Sequence, residues 1–467
     1  MAATYPSRIA PEASRRWACR LAIPAAALLL LGGLAVLWRW GPHALYVAAL
    51  RLFGFEPFRF PFLDIHFVLA GAQCQRLGID VYLSDPCDAL GRVHNYSPLW
   101  LAITPGFLDT TTTTAVGLGL DLIWILSLIY VIRPAGFGEV MILGFVALSP
   151  MTVYALERAN CDLVIFLLVV GGCALARASR PWRFGGYGLY LLAGLLKYYP
   201  LVLMALLMRE RRRDALIGAG TTAVIVLGLA GLDHADLATA LANIPALSYF
   251  ADSFSARNLP FGVAGSIFGP RLRGAAGLLL LAVLAALAAA RAWRTLHLLD
   301  PAALDPDLFE GQLLLVGALL VTACFFAGQN VDYRGIFFVL IMPGLVRLRR
   351  TSDDRTIRRF LARMIAAVLF VAWAAPLREL VHRNAEAIVG VPTGLRVKLL
   401  FWLGRELVWW WLIAGLAAII LGCAARMPIW PGRRARGVGP AAPLSAARRR
   451  RGARGDEPAI RPAAGRP

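Results

Sequence analysis

Long apolar runs, interrupted by short dense clusters of charge, set the pattern of this chain. The runs fall at about 21–38, 114–132, 137–156, 161–176, 214–231, 274–292, 309–327, 335–348, 357–377 and 403–424, and each is continuous, not alternating. A membrane-crossing helix needs about 20 such residues, whereas a barrel strand alternates in-and-out over about ten. The pattern predicts an all-α polytopic membrane protein with about ten transmembrane helices.

The arginines orient the runs. Arg8, Arg15, Arg16 and Arg20 precede the first one, which places residues 1–20 in the cytoplasm. Arg133, the trio Arg177, Arg180 and Arg183, the pair Arg291 and Arg294, and the trio Arg347, Arg349 and Arg350 mark later inside loops. One stretch breaks the alternation. Residues 187–208 are apolar, yet arginines lie before them and again at Arg209, Arg211, Arg212 and Arg213. Both ends therefore belong on the cytoplasmic side. The consistent solution is a re-entrant hairpin turning near Lys197 and Pro200, since proline removes a helical hydrogen bond. Broken backbone at membrane depth must be buried in protein or line a wet cavity. The membrane domain then covers 21–424, with an outer loop at 39–113 and no separate soluble domain. In 425–467, eleven arginines face only Asp456 and Glu457 among Ala, Gly and Pro. That segment reads as a disordered cytoplasmic tail.

Composition narrows the class. Apolar residues make up 59% of the 467 and charged residues only 16%, against about 25% in soluble domains. A soluble enzyme with an appended anchor, a disordered chain and a coiled coil are excluded. The net charge of +20 is concentrated beside apolar runs, where it serves topology and anionic lipid; no nucleic-acid partner is expected. A chain rich in Ala, Arg and Gly, with only Lys197 and Lys398 as lysines, suggests a GC-rich bacterial genome, and with the apolar spans a bacterial inner membrane is expected.

Several polar groups stand where hydrocarbon dominates, and such groups default to function. On the outer side lie Asp64, Asp80, Tyr82, His94 and Asn95, then the turn Glu157, Arg158, Asn160 and Asp162, then Asn258, and then Gln329, Asn330, Asp332 and Arg334. Lys197 occupies the hairpin tip. Each also has a plainer reading. Asp64 can cap a helix starting at Ile65, Glu157 and Arg158 can pair with each other or with a neighbour, Arg334 can snorkel, and Lys197 can hold the hairpin together. Phe58, Phe60, Phe62 and Phe67 flank Asp64, and desolvation by them would raise its proton affinity. Cys74 and Cys87 share the outer loop and can pair in an oxidising compartment; Cys19, Cys161, Cys173, Cys324 and Cys423 are isolated. No metal-ligand spacing, Walker A, GxSxG or strand-borne GxGxxG is present, so no cofactor or metal is expected.

The outer loop reads FLDIHFVLAGAQCQRLGIDVYLSDPC and then HNYSPLW. This resembles the GT-C superfamily of membrane glycosyltransferases, specifically glycosyltransferase family 87. The matching elements are Asp64 after the first span, then Gly78, Asp80 and Tyr82, then Tyr96 and Pro98. The hairpin's Lys197 and Pro200 are similar to the family's Lys-x-x-Pro element, and SARNLPFGVAG supplies its Asn258. The chain departs from the family at GQNVDYR, where members often carry a His. The resemblance implies a hexosyltransferase that moves a sugar, often mannose, from a polyprenyl-phosphate donor to a glycolipid or glycan acceptor on the outer face. Asp64 would be the general base. Lys197, Arg158 and Arg334 would bind the donor phosphate. Asp80, Tyr82, Tyr96, Asn160, Asp162, Asn258, Asn330 and Asp332 would contact substrate.

The rival class is a transporter or flippase of lipid-linked sugars, which would also use intramembrane arginines and broken helices. The long first outer loop with its embedded Asp64 favours the enzyme.

Overall fold

The computed structural model describes residues 9–297, 308–389 and 391–425; the basic tail lies outside them. In chain order the helices are α1 (Ile9–Trp40), α2 (His43–Leu52), α3 (Leu63–Arg76), α4 (Pro98–Ile103), α5 (Thr113–Val131), α6 (Phe137–Ala147), α7 (Pro150–Glu157), α8 (Asp162–Leu175) and α9 (Arg180–Lys197). They continue with α10 (Arg212–Leu232), α11 (His234–Ala242), α12 (Asn258–Leu296), α13 (Phe309–Ala327), α14 (Phe338–Thr351), α15 (Arg355–Ala372), α16 (Ala374–Val389) and α17 (Val391–Ala424). Two short strands, β1 (Ser253–Phe254) and β2 (Asn330–Val331), pair antiparallel and clip the outer segment before α12 to the turn after α13.

The fold is an all-α polytopic membrane protein. Six helices among the described residues are long and apolar enough to cross a bilayer, and two bent pairs raise the number to eight. Ten crossings were expected. The expected spans 161–176 and 335–348 emerge as α8 and α14, of 14 residues each, below the length that crosses hydrocarbon alone. The expected span 137–156 is broken: α6 ends at Ala147, and Ser149 and Pro150 start α7 at a bend of 50°. Ser149 Oγ caps the Thr152 N–H there, and Pro150 fits the first turn, where no N–H is needed. The α15–α16 pair bends by 66°. Within α12 the helix kinks at Gly269, whose φ of 70° leaves the helical region just before Pro270.

The hairpin has the expected geometry. Helix α9 ends at Lys197, the chain reverses at Tyr198, and a 3₁₀ segment Tyr199–Arg209 runs back along it. Arg183 pairs with Glu210 at 2.9 Å and Tyr187 Oη donates to Leu206 O at 3.2 Å. The two ends therefore lie together, with the tip opposite. Trp100 of α4 donates its indole N–H to Leu196 O at 3.1 Å, seating the outer loop on that tip.

One apolar core runs through α5, α8, α9, α13, α14, α15 and α17. Trp409 of α17 stacks on Phe254 at 4.4 Å and on Phe338 at 5.6 Å, which fixes β1 against the core. By contrast α10 and α12 bury little. Their leucines and valines face outward, as lipid-facing helices do.

Candidate active site

Asp64 opens the site. It lies in the first turn of α3 and caps nothing; the residue before the helix is Phe62, which carries no capping bond. The start of α3 is instead stitched to the end of α7. Phe62 N–H donates to Glu157 O at 2.6 Å and Asp64 N–H to Arg158 O at 3.0 Å. Arg158 returns through its side chain, donating from Nε to Asp64 Oδ2 at 2.8 Å and from Nη2 to Oδ1 at 2.7 Å. Asn160 Nδ2 donates to Oδ2 at 2.5 Å, and Arg92 Nη1 lies 3.6 Å from Oδ1. Phe58 covers the Arg158 guanidinium at 4.5 Å and Phe67 covers that of Arg92 at 4.6 Å. Burial pushes the Asp64 carboxyl up, but Arg158, Asn160 and Arg92 outweigh it and hold the group below the usual carboxylate range. The raised proton affinity expected from the phenylalanines is thus reversed: their rings lie over the cations, and the cations reach the carboxylate. Glu157 does not pair with Arg158; it accepts from Tyr46 Oη at 3.1 Å.

Asn160 joins this cluster to the hairpin tip. Its Oδ1 accepts from Lys197 Nζ at 3.2 Å and from Asp162 N–H at 2.9 Å. Lys197 Nζ is 3.0 Å from Asp162 Oδ1, which also accepts from Tyr199 Oη at 2.7 Å. Arg334 Nε lies 3.5 Å from Asp162 Oδ2, and the same guanidinium donates to Asn330 Oδ1. Arg334 is therefore held inside the protein and does not snorkel. Tyr96 and Tyr333 lie under the Lys197 ammonium at 5.0 and 5.9 Å, and Tyr199 under Arg334 at 5.2 Å. Arg158, Lys197 and Arg334 thus gather at the carboxylates of Asp64 and Asp162, while Arg92, which also approaches Asp64, is held at 2.8 Å by Asp88. A surplus of one positive charge favours an anionic ligand.

Backbone strain gathers at the same place. Among the described residues, the non-glycine positions with left-handed φ are Phe62 (64°), Ala159 (41°) and Tyr198 (59°). Each is next or next but one to Asp64, Arg158, Asn160 or Lys197. Such conformations cost about 1–3 kcal/mol each and persist where the surroundings over-determine them, typically at functional sites.

Not every expected residue joins. Asp80 is exposed, and its Oδ1 accepts from Tyr82 N–H at 3.0 Å, which makes it a turn residue. Tyr82 sits in a separate cluster stapled by the Cys74–Cys87 disulfide, edge-on to the buried His94 at 5.5 Å. Asn258 and Asn330 fasten the strand clip. Asn258 Nδ2 donates to Ser253 O at 3.0 Å, while Asn330 Nδ2 reaches Phe254 O at 3.2 Å and Gly328 O at 2.8 Å. Asp332 belongs to a second ionic group with Asp252, Arg378, Arg405 and Glu406. Sequence reasoning missed Arg92, Tyr199 and the partners of Asp332 in this second group. The adjacent charges Arg405 and Glu406, inside the apolar run WLGRELVWWW, were the available signal.

The apolar helices define a multi-pass membrane protein, with a buried ionic cluster at the junction of α3, α7, α8 and the hairpin tip. The model of glycosyltransferase family 87 matches residues 96–323, the family that the sequence resembles. That family implies a membrane glycosyltransferase, with a sugar donor and an acceptor as its substrates. The matched segment contains Arg158, Asn160, Asp162, Lys197 and Asn258; Asp64 precedes it and Arg334 follows it. No curated protein and no solved structure matches the chain.

Proposed function

We propose that the chain transfers a hexose, mannose in the first instance, from a polyprenyl-phosphate sugar to a glycolipid or glycan acceptor on the outer face of a bacterial inner membrane, with both termini cytoplasmic. The observation that carries this reading is the Asn160 bridge. One amide holds a carboxylate on one side and a lysine on the other, so a base and a phosphate-binding group share one buried centre.

In the proposal Lys197, Arg158 and Arg334 receive the donor phosphate. Arg158 has two claimants, Asp64 and the phosphate. When the phosphate draws the guanidinium away, Asp64 loses its strongest partner and its proton affinity rises. Donor binding then prepares the base that accepts the acceptor hydroxyl's proton. A single base with a phosphate leaving group fits direct displacement with inversion.

The test is transfer of radiolabelled mannose from polyprenyl-phosphate mannose by the purified chain in lipid. Transfer to membrane glycolipid supports the reading. Movement of the donor between leaflets with no sugar released would overturn it in favour of a flippase.

A further inference from the structure

A crevice of about 430 Å³ opens along the first turns of α17. Phe250, Leu399, Phe401 and Trp402 give it apolar walls. It lies at the end of the bundle that carries the strand clip. Trp402 donates its indole N–H to Tyr249 O at 3.0 Å and packs on Phe250 at 4.7 Å. One turn deeper, Arg405 donates to Ala251 O and Ser253 O at 3.0 and 3.2 Å. Helical spacing puts Lys398, Trp402 and Arg405 on one face of α17, at i, i+4 and i+7, with Arg396 flanking it.

Four cations line the crevice, and they fall into two pairs. The inner pair is taken. Arg405 lies 2.8 Å from Glu406 and 3.3 Å from Asp252, and Arg378 pairs with the same Asp252. The outer pair is free to act: Arg396 is exposed, Lys398 is half-buried, and neither has a carboxylate partner among the described residues. Their depth is telling. Gly394–Ala424 is an apolar helix of 31 residues, about 46 Å long at 1.5 Å per residue, whereas hydrocarbon is about 30 Å thick. With Ala424 at the cytoplasmic surface, as proposed, Arg396 and Lys398 stand at the headgroup level of the opposite face, and Trp402 stands where interfacial aromatics gather. The positive-inside bias supplies no cations at that end. A cation pair beside an apolar crevice at this depth matches a phosphodiester that carries acyl chains.

We infer that this crevice binds an anionic phospholipid of the surrounding membrane, its phosphate between Arg396 and Lys398 and an acyl chain along Leu399 and Trp402. The inference does not depend on the glycosyltransferase reading. None of Asp64, Arg158, Asn160, Asp162, Lys197 and Arg334 lines the crevice, and α17 lies beyond the family-matched residues. Arg378 and Arg405 also line it, so the bound lipid braces the corner where α16, α17 and β1 meet.

Native mass spectrometry of the full-length protein tests this, in titrations with dioleoyl phosphatidylglycerol and, separately, dioleoyl phosphatidylethanolamine. Phosphatidylglycerol should bind the more tightly. Arg396→Gln with Lys398→Gln should weaken it by about 25-fold, at about fivefold per cation, and leave phosphatidylethanolamine within about twofold. Lys398→Arg keeps the charge and should hold the affinity within about threefold. Lys398→Gln alone, expected to cost about fivefold, decides the matter if the double variant does not fold. Phosphatidylglycerol should also raise the melting temperature of the wild type and not that of the double variant. Inorganic phosphate and polyprenyl-phosphate mannose serve as competitors. Displacement of the phospholipid by millimolar phosphate would make this a site for a free anion. Displacement by polyprenyl-phosphate mannose at about a tenth of the phospholipid concentration would assign it to the donor. Either result overturns the inference, as do equal affinities for the two phospholipids or an unchanged phosphatidylglycerol affinity in a folded Lys398→Gln or double variant.

Discussion

Arg158 grips both carboxylate oxygens of Asp64, at 2.7 and 2.8 Å, across 94 residues of sequence. Both side chains are more than nine-tenths buried. Removing one partner of such a pair leaves the other as an uncompensated buried charge, at a cost of about 3–5 kcal/mol. Arg158→Ala should lower the melting temperature of the purified protein markedly. The double variant Arg158→Ala with Asp64→Asn should recover part of the loss. Equal melting temperatures for the single and double variants would mean the pair is not coupled.

Asp64→Asn keeps the size of the side chain but removes its basicity. Its turnover should fall by about 10²- to 10⁴-fold with donor binding largely kept. Asp80→Asn is the control, because Asp80 is exposed and only closes a turn; it should turn over within about twofold of wild type. Full activity in Asp64→Asn would move the base elsewhere, with Asp162 the next carboxylate to test.

Lys197→Ala should raise the donor KM by about ten- to a hundredfold, as expected for losing a charge-assisted hydrogen bond of about 1.5–3 kcal/mol. Asp162 keeps Tyr199 and Arg334 as partners in that variant, so the protein should still fold. A well-folded Lys197→Ala with wild-type donor KM would make Lys197 a purely structural clasp of the hairpin.

His94 gives a pH signature. Burial pushes its imidazole down to about 4, below the ordinary value of about 6.5. The folded state therefore resists protonation. The stability from His94 is complete above pH 6.5 and is lost as the pH falls toward 4, about 3 kcal/mol in all. Asp85, pushed up to about 6 by burial, acts in the opposite sense, gaining stability as the pH falls through 6. Comparison of wild type with His94→Phe, which keeps the stacking on Phe67, isolates the histidine. Between pH 7.5 and 4.5 the wild type should lose more thermal stability than His94→Phe; equal losses would refute the assignment.

Topology follows from the hairpin. Reporter fusions after Arg213 and at the C-terminus should both report cytoplasm. A periplasmic signal at either would mean that 187–208 crosses the membrane.

The helices were legible because hydropathy is local. Asp64, Arg158, Asn160, Asp162, Lys197 and Arg334 stood out as polar or charged groups among apolar runs, and they do converge. What local pattern could not carry was partnership. Arg405 reaches Asp252 across 153 residues at 3.3 Å, and no periodicity encodes that distance. Nor could sequence mark the strained backbone, since Phe62, Ala159 and Tyr198 are not the glycines or asparagines that usually announce a left-handed turn. Asp80 and Tyr82 misled for the opposite reason: they sit in the same loop as Asp64 but fold into their own stapled unit. The break at Pro150 was hidden because the half-helices on both sides of it are apolar, and α16 was hidden because Arg378, Glu379, His382, Arg383 and Glu386 interrupt its hydropathy.

The Cys74–Cys87 bond has a consequence beyond its loop. Thiols stay reduced in the cytosol and are oxidised outside it. A copy of the chain threaded the wrong way round would carry that loop inward, with two free sulfhydryls open to alkylation. In correctly inserted copies these two sulfurs would be closed to the reagent, and only the other cysteines, Cys19 the most exposed of them, could react. One covalent link thereby makes the handedness of insertion, a property of the entire polypeptide, readable as a shift in mass.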